Sequence, residues 1–381
     1  MAELPPYAWF LILAALVAGI LAGHHGWGRR WPRGRGRVNA DYLTGLDYLV
    51  SEQPARALDT FLRLMDANPE TLETHFALGT LYRRRGEVER AIRIHRNLLA
   101  RPSLAAEHRE QALLALAQDY LRAGLLDRAE RLFQQVSEVP RLRAAALDAL
   151  RGVYERQRDW AQALEAYRRL ATADRAPPRS VAAHYLCELA AEALARRDRE
   201  AVRSALRQAR AEAGPSPRAA VLRAALAERD GDTELAVRLL QWAVREAPQL
   251  LSEQLPHLLA LSGPERRDAV LESLVSRAEE GDVEDLKRVV YAALAANLAD
   301  AAPLRGAIER LFALDPTLQA VREAGGGSHF ARVAAEIGIL LSHAEQYRCN
   351  ECGFTGRKFY WQCPGCHSWD SFAPYAIVKL R

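Results

Sequence analysis

Lysine is almost missing from this 381-residue chain. Only Lys287, Lys358 and Lys379 stand among its 52 basic residues, and the rest are arginine. That bias looks like genome composition and assigns no chemistry. Net charge is only +4, so bulk charge gives no support for nucleic-acid binding. Cysteine is absent before position 349 except for Cys187, which excludes a disulfide framework running through the chain. Also missing are HExxH, G-x-S-x-G, a phosphate loop and a dinucleotide fingerprint, so no common catalytic signature marks an enzyme. No β-rich stretch precedes residue 347. Disorder is excluded in turn, because the chain is 49% hydrophobic and 26% charged.

What the chain does contain is a repeat. Gly45, Tyr48, Ala57 and Phe61 recur 34 positions later as Gly79, Tyr82, Ala91 and His95. Small residues stand where two helices must approach closely, and large ones where the next helix must be met. Pro69 and Pro102 stand where the second helix of each pair should stop. A 34-residue period with these residue types is the tetratricopeptide signature. After a four-residue insertion at 101–108, a third unit shows Tyr120, Ala129 and Phe133, and a fourth Tyr154, Ala163 and Tyr167. A fifth is expected with Ala201 and Ala205 at the small positions, and a sixth with Gly231, Ala236 and Leu240. Between 250 and 324 the pattern is helical but out of register, as degenerate repeats or a cap would be. The expected fold is an all-α solenoid over 41–324. Its first helices place Leu46, Leu49, Phe76, Arg83, Leu114, Arg122 and Arg156 near a protein-binding groove. The plain alternative is that these arginines are merely solvated. Were they a binding surface, charge reversal at Arg83 and Arg122 should weaken capture without lowering stability.

Residues 7–23 carry no charge, and with Pro5 and Pro6 make a helix close to the ~20 residues that span a bilayer. Only Glu3 precedes them, whereas Arg29, Arg30, Arg33, Arg35 and Arg37 follow. The positive flank predicts a single-pass membrane helix in residues 1–28, with the N-terminus outside and the bulk in the cytoplasm. A cleaved signal peptide would show the opposite order of charge. Ala15, Gly19 and Gly23 recur at every fourth position and would let another helix approach in lipid, whether a partner's or a second copy's in a homo-oligomer. Residues 29–40 read as a basic linker. Cys187, alone on an apolar helix, reads as a small buried residue.

Residues 325–346 hold a Gly-Gly-Gly-Ser joint and a connecting helix. In the tail, 347–381, Cys349, Cys352, Cys363 and Cys366 form two CxxC pairs ten residues apart. Each pair can form a tight turn whose N–H groups point at sulfur, and four thiolates complete a tetrahedral shell for one iron or zinc ion. Gly353 and Pro364-Gly365 suit such turns. Eight of the 28 aromatic residues crowd into 347–375. So short a tail cannot fold on its own core, so some rings should pack round the metal and others against the solenoid.

An N-terminal anchor, tetratricopeptide repeats and a terminal tetracysteine knuckle form a specific combination. With RGEVERAIRIH (85–95), AGLLDRAERLF (123–133), HYLCELA (184–190) and YRCNECGFTGRKFYWQCPGCHSW (347–369), the chain resembles the lipopolysaccharide assembly protein B family. The resemblance implies a rubredoxin-like tail packed on the repeats. It also implies a non-catalytic inner-membrane adaptor that helps the AAA protease FtsH degrade the LpxC deacetylase, opposed by a lipopolysaccharide-sensing membrane protein. Two other readings compete: a general membrane-anchored docking scaffold, and a rubredoxin-type electron carrier.

Overall fold

The computed structural model describes residues 40–51, 53–67, 72–171, 177–280, 289–290, 292–293, 302–314 and 347–374. The expected membrane segment with Ala15, Gly19 and Gly23, the joint at 325–346 and Tyr375 lie outside the described residues. Among the described residues no helix is long and apolar enough to cross a membrane. The chain divides into two units, Met1–Leu125 and Leu126–Arg381.

The first unit holds α1 (Ala40–Val50), α2 (Pro54–Ala67), α3 (Leu72–Arg84), α4 (Val88–Leu99) and α5 (Ala106–Arg122). The repeat letters have a direct spatial meaning here. A Cβ on Gly45 would stand 2.7 Å from Phe61 Cζ, and one on Gly79 would stand 2.5 Å from His95 Cε1. Glycine is needed at both places because the large residue of the second helix lies against the backbone of the first. Ala57, Ala91, Phe61 and His95 are all fully buried.

The second unit continues with α6 (Leu126–Ser137), α7 (Arg143–Gln157), α8 (Trp160–Ala171), α9 (Arg179–Ala195), α10 (Arg199–Ala213), α11 (Pro217–Arg229) and α12 (Thr233–Glu246). A single turn of 3₁₀ helix, Pro248–Leu250, leads into α13 (Leu251–Glu280). This long element is bent at Gly263, whose φ is +69°, immediately before Pro264. α14 (Ala302–Leu314) follows.

One turn is used again and again inside the repeats. The N–H of Glu87 donates to Tyr82 O, and Leu125, Asp159, Asp198 and Asp232 do the same to Tyr120, Tyr154, Ala193 and Ala227, all at 2.9 Å. This closure needs a left-handed residue just before the donor. Gly86, Gly124 and Gly231 supply it, but so do Arg158 (φ +59°) and Arg197 (φ +61°), without glycine's freedom. Asp159, Asp198 and Asp232 then cap the next helix, accepting from the N–H of Gln162, Ala201 and Leu235. The shared cap fixes the register of the fifth repeat. Val202, not Ala201, is the buried equivalent of Ala163, while Ala205 is buried as expected. The sequence register slipped by one residue because two alanines stood near one small-residue position.

The tail forms a three-stranded antiparallel sheet of β1 (Tyr347–Cys349), β2 (Thr355–Gly356) and β3 (Phe372–Pro374), in the order β2-β1-β3.

Candidate metal centre and the face it covers

The two CxxC turns are copies of each other. In the first, Cys349 N–H donates to Phe354 O at 2.8 Å and Gly353 N–H to Cys349 O at 2.9 Å. In the second, Cys363 N–H donates to Ser368 O and His367 N–H to Cys363 O, both at 2.9 Å. The residue after each second cysteine is left-handed: Gly353 at φ +76° and His367 at φ +61°. The sequence pointed to Pro364-Gly365 inside the second turn, whereas the left-handed residue there is His367. A Cβ on Gly365 would lie 3.4 Å from both Cys352 Sγ and Phe354 Cβ, at ordinary contact distance.

The two turns bring four sulfur atoms within 4.8 Å of one another. Cys349 Sγ lies 3.7 Å from Cys366 Sγ, and Cys352 Sγ 3.6 Å from Cys363 Sγ. A tetrahedron with metal–sulfur bonds of about 2.3 Å has edges of about 3.8 Å, so this donor set fits a metal. Gly365 N–H donates to Cys363 Sγ at 3.3 Å, and Ser371 Oγ and Ser368 Oγ each lie 3.3 Å from a ligand sulfur. Burial opposes ionisation of Cys349, but the Ser371 hydroxyl and neighbouring backbone N–H groups outweigh it and bring the thiol down to about 6. Burial dominates at Cys363 and pushes its thiol up to about 12. A cation at the centre is what would make a thiolate at Cys363 favourable. Cys349 and Cys363 are buried and Cys352 is exposed, so one edge of the cluster meets solvent.

The tail's aromatic residues divide between two roles. Phe354 and Tyr360 pack on Phe372 inside the knuckle, with centroids 6.1 and 5.5 Å apart. Tyr347, Phe359, Trp361 and Trp369 face the helices of the same unit. Tyr347 Oη donates to Gln249 O at 2.8 Å, and Phe359 N–H to Glu253 Oε1 at 2.9 Å. Tyr347, Phe359 and Phe372 join one apolar cluster with Leu250, Leu251 and Leu255. Burying side chains of this size stabilises by about 1.5–3 kcal/mol each, which supplies what so small a tail lacks.

Beside this apolar seam lies a polar latch. His184 stacks on Trp369, centroids 4.7 Å apart and rings 9° from parallel. Its Nε2–H donates to Asp370 Oδ1 at 2.8 Å. Arg218, a pure donor, stands 3.1 Å from His184 Nδ1 and so fixes the tautomer. The same guanidinium holds Glu188 at 2.5 Å and lies over the Trp361 and Trp369 rings. Trp369 Nε1–H donates to Glu155 Oε1 at 3.1 Å. That carboxylate also accepts from the Tyr185 hydroxyl and, at 2.8 Å, from Arg151 Nη1. Burial pushes the Tyr185 phenol far up, which keeps it a donor. Glu155, His184 and Arg218 all stand on first helices of their repeats. The tail therefore covers the first-helix side of the fourth, fifth and sixth repeats.

The groove residues expected from sequence have varied surroundings. Leu46 is half-buried against the cluster of Ala57 and Phe61. The side chain of Leu49 lies outside the described ones. Phe76 sits 6.0 Å from the His95 ring, and Leu114 is half-buried. Arg83 donates to Asp119 Oδ1 at 2.8 Å and to Ala115 O at 3.3 Å. It is thus tied into the first unit, so its charge reversal is expected to cost stability. Arg122 is exposed, and Arg156 is exposed in the second unit beside Glu155. Sequence reasoning missed the latch: His184 lay inside a quoted helical run, with no signal pairing it to a residue 186 positions away.

Known proteins share both parts. A rubredoxin metal binding domain matches residues 347–374, and tetratricopeptide repeats match 74–110 and 146–180. Lipopolysaccharide assembly protein B of Escherichia coli (strain K12) is 30% identical over 349 residues, covering 89% of this chain and 90% of the relative. The protein of that name from Haemophilus influenzae is 26% identical over 357 residues, again covering 89% and 90%. Among solved structures, the C-terminal part of a tetratricopeptide-repeat protein from Cytophaga hutchinsonii is similar at 14% identity and a TM-score of 0.39, over 72% of this chain and 96% of that one. With that extent of identity to the Escherichia coli relative, repeats and metal-binding tail included, the chain belongs to the lipopolysaccharide assembly protein B family.

Proposed function

We propose that this protein is a non-catalytic adaptor of the inner membrane that restrains lipopolysaccharide synthesis by promoting FtsH-dependent degradation of the LpxC deacetylase. Residues 7–23 would anchor it, with the N-terminus periplasmic and the body cytoplasmic. A lipopolysaccharide-sensing membrane protein would oppose it. The observation that carries the reading is the tail's seat. Cys349, Cys352, Cys363 and Cys366 would hold one iron or zinc ion, and the metal would supply folding energy to the tail. The residues that meet the repeats are Tyr347, Phe359, Trp369 and Asp370, so the metal serves the shape of a scaffold. Confinement to the membrane plane raises the client's effective concentration near the protease, so modest affinities suffice.

The test is the half-life of LpxC in cells. Complete deletion of this protein is expected to lengthen it. Removing residues 1–28, or replacing Cys363 by Ser, is expected to lengthen it as well. An unchanged short half-life in the complete deletion refutes the reading and leaves a general docking scaffold. A reporter fused after Arg381 is expected to work only if it is active in the cytoplasm.

A further inference from the structure

We propose that the second unit carries a docking groove for an acidic, amphipathic segment of another protein, on the side its own tail does not use. The inference stands apart from the identity of the client above.

It begins with a stripe. Arg199, Arg203, Arg207 and Arg210 follow one another on α10 at spacings of four, four and three, which puts them on one helix face. Three of them, with Arg223 of α11, rim a groove of about 560 Å³. Its floor is apolar: Leu206, Ala220, Leu235, Leu239 and the half-buried Trp242. Among the residues lining the groove, Asp230 is the only acid. It is already engaged by Arg199 and Arg203, each at 2.9 Å, and Arg207 reaches Glu200 at 3.1 Å. Arg210 and Arg223 are exposed and have no ion pair among the described residues.

Charge and shape together select the occupant. Guanidinium groups bind carboxylates through paired, charge-assisted hydrogen bonds. The floor requires an apolar side chain between the acidic ones. A segment with Leu or Phe on one face and Asp or Glu beside it meets both demands, as in helix-in-groove recognition. A flat bilayer of anionic lipid would reach Arg210 and Arg223 but leave the floor of the groove unfilled. The first-helix side of these repeats is taken by Trp369 and Asp370, at Glu155 and His184. The groove instead opens among α10, α11 and α12.

The test uses the full chain in zwitterionic nanodiscs. A short fluorescent peptide of Leu and Glu in helical alternation is compared with its Leu/Lys counterpart and with phosphatidylglycerol vesicles. The Leu/Glu peptide is expected to bind, and more weakly as salt rises. The R210E/R223E pair should weaken it tenfold or more, since losing even one charge-assisted contact costs about that much. Trp242→Ala should weaken it with less salt dependence, and R210E/R223E, whose side chains are exposed, should leave the melting temperature unchanged. The proposal is overturned if the Leu/Glu peptide does not bind, if R210E/R223E binds it unchanged, or if the Leu/Lys peptide binds equally well. It is also overturned if the vesicles displace the peptide in a manner that depends on Arg223.

Discussion

Each unit of the molecule sets a histidine, an aspartate and an arginine side by side, in different orders. In the first unit Asp119 is the centre. It is wholly buried, with Arg83 on one oxygen at 2.8 Å and His95 Nδ1 on the other at 2.5 Å. In the second unit His184 is the centre, between Arg218 and the half-exposed Asp370. The first trio joins neighbouring helices of adjoining repeats, and the second joins a repeat to the tail. A buried charge at the centre makes the first trio obligatory, because removing it leaves a partly buried guanidinium and a fully buried imidazole without their shared partner. An imidazole at the centre, with a carboxylate that can turn to water, makes the second a latch that can open without unfolding what it closes.

The metal site offers the strongest way to break this comparison. Cys363→Ser is expected to abolish bound metal, unfold the tail and expose Trp369, while the helical signal of both units persists. Metal analysis and tryptophan fluorescence measure it. Next comes the first trio. Asp119→Ala should destabilise the first unit by about 3–5 kcal/mol, as when a buried charge loses its partner. Asp370→Ala should cost about 1 kcal/mol or less, since its carboxylate is half-exposed. Denaturant titration of both variants decides whether the two trios differ as argued. Equal losses would erase the distinction. A third expectation concerns Cys187, whose thiol is pushed up to about 11 by burial. Its folded value lies above the unfolded one of about 8.5. Its contribution to stability is thus full below that unfolded value and falls as pH rises towards 11. Alkylation at mildly alkaline pH should therefore mark Cys187 only after denaturation, which mass spectrometry reads. The smallest effect lies in the turns. Arg158→Gly or Arg197→Gly should stabilise by up to about 1 kcal/mol, by relieving a side chain in the left-handed region. A slightly raised melting temperature would show it.

The features legible in the sequence were those written at short range. Gly45 against Phe61, and Gly79 against His95, follow from a fixed period, because a backbone can approach only where no Cβ intervenes. The four cysteines follow from ligand spacing. The seat of the tail did not follow, because nothing in a single sequence ties Trp369 to Glu155 across 214 positions. The roles of Arg83 and Arg122 divide for the same reason. Both occupy outward repeat positions, but a buried aspartate on the first helix of the next repeat claims only Arg83. The one-residue slip at Ala201 came from alanines so frequent that smallness alone could not mark the contact.

The tail's seat also sets an order in time. The partners His184 and Asp370 are 186 residues apart. At usual synthesis rates of about 5–20 residues per second, roughly ten to forty seconds separate their emergence from the ribosome. During that interval the surface awaiting the tail faces water. Around His184 it is built from Glu155, Glu188 and Arg218, groups that water solvates well, but beside them Leu250, Leu251 and Leu255 stand uncovered until Tyr347 and Phe359 arrive. Chains stalled before Tyr347 are accordingly expected to keep their helices formed while that apolar seam stays open to water.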